Sequence, residues 1–96
     1  PPAAVPAAPP TLAALCQRHV TYWAGRALSG GPDAGLDYQE MGLVAGEYAI
    51  LSEVVHAHRG GQALSAAEGR LVAARCAGRF GTATRLSPQP GPGWPG

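Results

Sequence analysis

Residues 36–60 read LDYQEMGLVAGEYAILSEVVHAHRG, and this stretch alone carries a complete set of helix signals. Asp37, with Glu40 three residues on, has the spacing of a capping box, and Leu36 and Met41 take the flanking places of a hydrophobic staple. At the other end His56, His58 and Arg59 fall in the last turn, where cations are favoured, and Gly60 follows as the terminating glycine. Between them Met41, Val44, Tyr48, Leu51, Val55 and His58 recur at spacings of three and four, the period of one helical face. Leu43, Ile50, Val54 and Ala57 make a second stripe beside the first. Together the stripes cover roughly half the circumference, wider than the ~100° of an ordinary surface helix. The pattern predicts a helix over 38–59 packed between two partners.

On the N-terminal side, Thr11 stands as the cap of a first helix over 12–28, with Leu12, Leu15, Cys16, His19, Val20, Trp23 and Ala27 on one side. Gly30, Gly31 and Pro32 end it, and residues 29–36 are long enough for an antiparallel return. On the C-terminal side, Gly60 and Gly61 are followed by a second capping box, Ser65 with Glu68. It opens a third helix over 66–79, with Leu71, Val72, Cys76 and Phe80 inward and Gly81 closing it. The fold class expected is therefore all-α: a small antiparallel three-helix bundle in up-down-up order, the second helix in the middle. Gly25, Gly42, Gly46, Gly69 and Gly78 each cost such helices about 1 kcal/mol relative to Ala, which tertiary contacts must offset.

The flanks differ in composition. Residues 1–10, PPAAVPAAPP, read as an extended or disordered linker, and residues 82–96, rich in Pro and Gly and carrying Trp94, as a disordered tail. The domain is expected over 11–81, where only about 60% of the unfolded surface can be buried, so its stability should be marginal. Six aromatic residues and fourteen glycines supply little packing volume.

Formal net charge is only +1, which does not by itself point to nucleic acid. The charge is nevertheless divided. Residues 1–55 hold Arg18 and Arg26 against Asp33, Asp37, Glu40, Glu47 and Glu53, whereas residues 56–96 hold Arg59, Arg70, Arg75, Arg79 and Arg85 against Glu68 alone. No run of about 20 apolar residues is present, and the first residues lack the basic and apolar regions of a signal peptide. The expectation is a cytoplasmic protein that does not enter a membrane.

In an up-down-up bundle the first and third helices run parallel, which places Cys16 and Cys76 about 9 Å apart along the axis at ~1.5 Å per residue. A disulfide needs Cα atoms about 4.4–6.8 Å apart, so two buried free thiols and a reducing compartment are expected. Cys16, His19 and His58 can be drawn as metal ligands, but a structural zinc site needs four, and paired CxxC or HxxxH spacing is missing. No metal or other cofactor is expected. Glu47 falls between the two apolar stripes, where a carboxylate is partly desolvated; Arg18 or Arg26 of the first helix is its expected partner. No phosphate-binding glycine loop, GxSxG, HExxH or thioredoxin-type CxxC occurs. With so small a core, an enzyme is not expected and no catalytic residue is assigned.

Gly42, Ala45, Gly46 and Ala49 form a strip of small residues that admits another helix, within the fold or from a second copy. With Arg70, Arg75 and Arg79 of the basic third helix they are the candidate interaction residues. Residues 43–72 also resemble the first two helices of a winged-helix DNA-binding domain, through Leu43, Glu47, Tyr48, Ile50, Leu51, Gly60 and Ser65. That resemblance implies DNA binding through the third helix, with Arg70, Arg75, Arg79 and Arg85 at phosphates. Residues 79–86, however, are too short and Gly-broken for a recognition helix, and no strand pair for a wing follows. The Trp23-Ala24-Gly25 triplet is similar to that of helical-hairpin WxG secretion substrates but lies inside the first helix instead of at a turn. The leading expectation is a non-enzymatic helical protein–protein interaction module, a docking or adaptor domain or a small accessory subunit. A small DNA-binding protein is the alternative, and a thiol or metal-binding protein the second.

Overall fold

The computed structural model describes residues 8–30 and 36–86. They form three helices packed against one another, α1 Leu12–Leu28, α2 Ala45–Ala57 and α3 Ala66–Phe80, with no strand among the described residues. The expected three-helix bundle is what forms. No helix among the described residues is long and apolar enough to cross a membrane. Residues 1–7 and 87–96, with Trp94 and most of both expected tails, lie outside the described part.

The caps read from the sequence start α1 and α3. Thr11 Oγ1 accepts the Ala14 N–H at 3.1 Å. The Leu12 N–H, one of the donors a helix start leaves without an internal partner, is taken by the Ala83 carbonyl at 2.8 Å. At α3 both halves of the capping box are made: the Glu68 N–H donates to Ser65 Oγ at 3.1 Å and the Ser65 N–H to Glu68 Oε1 at 2.7 Å.

The second helix is shorter than expected, Ala45–Ala57 in place of 38–59. The Asp37 capping box does form, with the Glu40 N–H donating to Asp37 Oδ1 at 2.8 Å. It caps a single turn. Gly42, at φ +77°, stops that turn: its N–H reaches the Gln39 carbonyl at 3.0 Å and the Leu43 N–H reaches the Tyr38 carbonyl at 2.8 Å. This pair of bonds is a Schellman termination, which favours glycine at the left-handed position. Gly42 is thus a helix terminator, not a weak interior position. α2 restarts at Val44, whose side chain has no acceptor; only half of a capping box is made, by the Val44 N–H to Glu47 Oε1 at 3.0 Å.

The helix directions also depart from up-down-up. Leu12 is bonded to Ala83 and Cys16 to Cys76, so α1 runs opposite to α3. His58 at the end of α2 bonds Glu68 at the start of α3, and Gly46 near the start of α2 faces Arg79, so α2 also runs opposite to α3. α1 and α2 therefore point the same way. The physical reason is burial: in this arrangement the Cys16, Val20 and Ala24 face of α1 and the Ile50, Leu51 and Val54 face of α2 share one core with Val72 and Cys76 of α3.

This geometry overturns the expectation of free thiols. With α1 and α3 antiparallel, Cys16 and Cys76 each lie about one turn from the same end of the bundle. They form a disulfide with Cα atoms 5.7 Å apart and both residues fully buried. The core around it consists of Val20, Ala24, Leu43, Ile50, Leu51, Val54 and Val72, with Trp23, Tyr38, Met41, Leu64, Leu71 and Phe80 packed on its edge. Ala24, not Ala27, is the inward alanine of α1. Few of these side chains are large, so a covalent staple carries weight that a bulkier core would supply by burial.

Candidate functional site

An open groove of about 570 Å³ lies between α2 and α3. Ala45, Gly46, Ala49 and Ile50 line it from α2, and Ala74, Arg75, Gly78 and Arg79 from α3. Three of the expected strip residues, Ala45, Gly46 and Ala49, and two of the expected arginines, Arg75 and Arg79, meet here. Gly42 does not; it belongs to the turn before α2. Arg70 is exposed on α3 but is not part of this lining. Ile50, Ala74 and Gly78 complete the groove, and only the relative placement of the two helices marks them.

The absence of a side chain at Gly46 has a direct use. A Cβ there would lie 2.7 Å from Arg79 Nε, so the glycine lets the Arg79 chain lie across α2. The Arg79 guanidinium carbon is also 5.9 Å from the Phe80 ring centroid, within cation–π range. Arg75 is held differently: Nε donates to Glu53 Oε1 at 3.0 Å and Nη2 to Glu53 Oε2 at 3.0 Å, a bidentate pair across the two helices. Hydrogen bonding to Arg75 lowers the Glu53 carboxyl below its ordinary range and raises the guanidinium in turn. The rim therefore carries one arginine neutralised by a carboxylate and one resting on a ring.

Glu47 is buried, and its partner is His19, not Arg18 or Arg26. His19 Nδ1 lies 2.9 Å from Glu47 Oε2 while Oε1 accepts the Val44 N–H. One carboxylate thus caps α2 and ties it to α1. The pair borders a recess of about 110 Å³ lined by Leu12, Leu15, Gly42, Val44, Phe80 and Leu86. Chemically this is a carboxylate-oriented imidazole, an arrangement used to position a base or a metal ligand. Neither use is completed by its surroundings: no hydroxyl or thiol among the described residues is hydrogen-bonded to it, and Cys16, one turn away, is in the disulfide.

The residues drawn as metal ligands are dispersed. Cys16 is bonded to Cys76, His19 to Glu47, and His58 sits at the opposite end of α2 against Glu68. No group of three His, Cys, Asp or Glu side chains among the described residues is placed to hold a metal ion. The chain matches no family model, no curated protein and no solved structure. The winged-helix resemblance of residues 43–72 accordingly rests on its seven residues alone. Of these, Glu47, Ile50 and Leu51 are buried core or capping positions of α2 and Ser65 caps α3.

Proposed function

We propose that this domain is a non-enzymatic interaction module whose α2–α3 groove receives an amphipathic helix with small apolar side chains flanked by carboxylates. The observation that carries this reading is the groove itself: a floor of Ala45, Ala49, Ala74 and Gly78 that admits a close backbone, with Arg79 lying over Gly46 at one end and hydrogen-bonded to no carboxylate among the described residues. Small residues permit helix–helix approach at about 8–10 Å, and an arginine at the rim selects the sign of the partner. A non-enzymatic role is supported by the state of the one buried carboxylate among the described residues, which is spent on a helix cap and on His19. The buried disulfide supports an oxidising compartment as the working environment, in place of the cytoplasmic one the sequence suggested.

The test uses synthetic helices. An acid-flanked amphipathic peptide and its counterpart with each Glu replaced by Lys are titrated against the whole chain by fluorescence anisotropy. The acidic peptide binds, weakens with added salt, and weakens at least about fivefold with R79E. Equal binding of both peptides, or none, overturns the reading. Duplex DNA binding with a steep salt slope would favour the basic-helix alternative, and self-association by light scattering would make a second copy the occupant.

A further inference from the structure

We propose that His58 and Glu68 form a pH-operated latch, closed when the imidazole is doubly protonated, that holds the end of α2 on the start of α3. His58 is the C-terminal cap of α2. Its Nδ1 lies 2.9 and 3.0 Å from the two oxygens of Glu68, and its Nε2 lies 2.9 Å from the Gly61 carbonyl oxygen. Both ring nitrogens therefore face groups that only accept. A neutral imidazole has one N–H and leaves a lone pair against an oxygen; the imidazolium donates to both. The His58 side chain is only 9% exposed, while the Gly61 carbonyl it meets lies at the surface.

The acceptors are fixed in place. Glu68 Oε1 also receives the Ser65 N–H at 2.7 Å, so the carboxylate is the α3 capping box as well as the latch. Gly61, at φ +87°, turns the chain so that its carbonyl faces the ring. The charged group that faces His58 from α3 is Glu68. On its own side His56 is engaged with the Ser52 carbonyl, and Arg59 is exposed. No charged side chain of α1 among the described residues acts on it.

The directions of titration agree with this geometry. The Gly61 carbonyl, then Glu68, raise His58 above its ordinary 6.5. The Ser65 N–H, then His58, lower Glu68 below its ordinary 4.5. The His58 contribution is fully present below 6.5 and is lost as pH rises through its raised value. The Glu68 contribution is present above 4.5 and is lost as pH falls through its lowered value. The latch is complete in the mildly acidic interval between, and releases the α2–α3 junction on the alkaline side. It stands independently of the proposed groove function.

Nitrogen-15 NMR of the whole chain tests it, together with amide exchange corrected for intrinsic base catalysis. At about pH 6 both His58 ring nitrogens carry protons, and the protection of α3 first-turn amides falls by about threefold or more on going to about pH 8.5. In E68Q, which keeps a capping-box acceptor but removes the charge, and in H58N, less than half of that change remains. An unprotonated His58 nitrogen at the lower pH, or the same pH profile in wild type and both variants, overturns the latch.

Discussion

His19 and Glu47 meet across α1 and α2 with Nδ1 2.9 Å from Oε2, and the same carboxylate takes the Val44 N–H that opens α2. A buried carboxyl group is tolerated in so small a core because each of its oxygens has a hydrogen-bond partner. Removing the carboxylate leaves the Val44 amide and the imidazole without it. E47A should therefore lose about 2–3 kcal/mol in urea unfolding, and E47Q, which can still accept from Val44, about half as much. A loss under about 0.5 kcal/mol in E47A would mean that water replaces the side chain at little cost.

The Cys16–Cys76 bridge spans 60 residues of chain, and closing a loop of that size is worth about 4 kcal/mol in the chain-entropy account. The C16S/C76S double variant should lose most of its cooperative thermal transition. Because both sulfurs are buried, reduction of the folded protein by dithiothreitol should follow global opening, accelerating with added urea in step with the fall in stability. Rapid reduction with no urea dependence would contradict the buried placement.

Glycine replacements separate the terminator from the interior positions. G42A places a Cβ at φ +77° and should cost about 1–2 kcal/mol. G25A and G69A, which meet nothing within 4 Å, should each gain about 0.5–1 kcal/mol from helix propensity. At about 4–8 °C per kcal/mol for a domain of this size, calorimetry resolves both directions.

Acid should weaken the fold through two carboxylates. Hydrogen bonding to Arg75 lowers Glu53, and the Ser65 amide together with His58 lowers Glu68. A lowered carboxyl contributes above its ordinary 4.5 and loses that contribution as pH falls through the lowered value. E53Q should flatten the acid limb of the Tm–pH curve, less so at high salt because the Glu53–Arg75 pair is half exposed. An acid limb identical in E53Q and wild type would assign none of it to this pair.

Much of the local structure was legible from side-chain chemistry within a few residues. Thr11 and Ser65 cap where their hydroxyls stand before an apolar-periodic run, and Gly81 at φ +57° ends α3. The Asp37 capping box was also legible, but its extent was not. A capping box specifies a start, whereas the stop at Gly42 depends on whether the glycine turns left-handed, a choice settled by packing of Leu43 into the core. The groove was half legible: Gly46 and Ala49 are small at helical spacing, but Ala74 and Gly78 qualify only because α3 lies opposite.

The amino-acid sequence by itself determined three helices, two of them nearly to the residue, since capping and periodicity act over three or four positions. Tertiary structure alone decided the direction of α2, the pairing of Glu47 with His19, the Cys16–Cys76 disulfide and the His58–Glu68 contact. Each of these depends on which helix ends share one end of the bundle. That is set by burial of the Leu43, Ile50 and Val54 face against the other two helices, a quantity that no local spacing encodes.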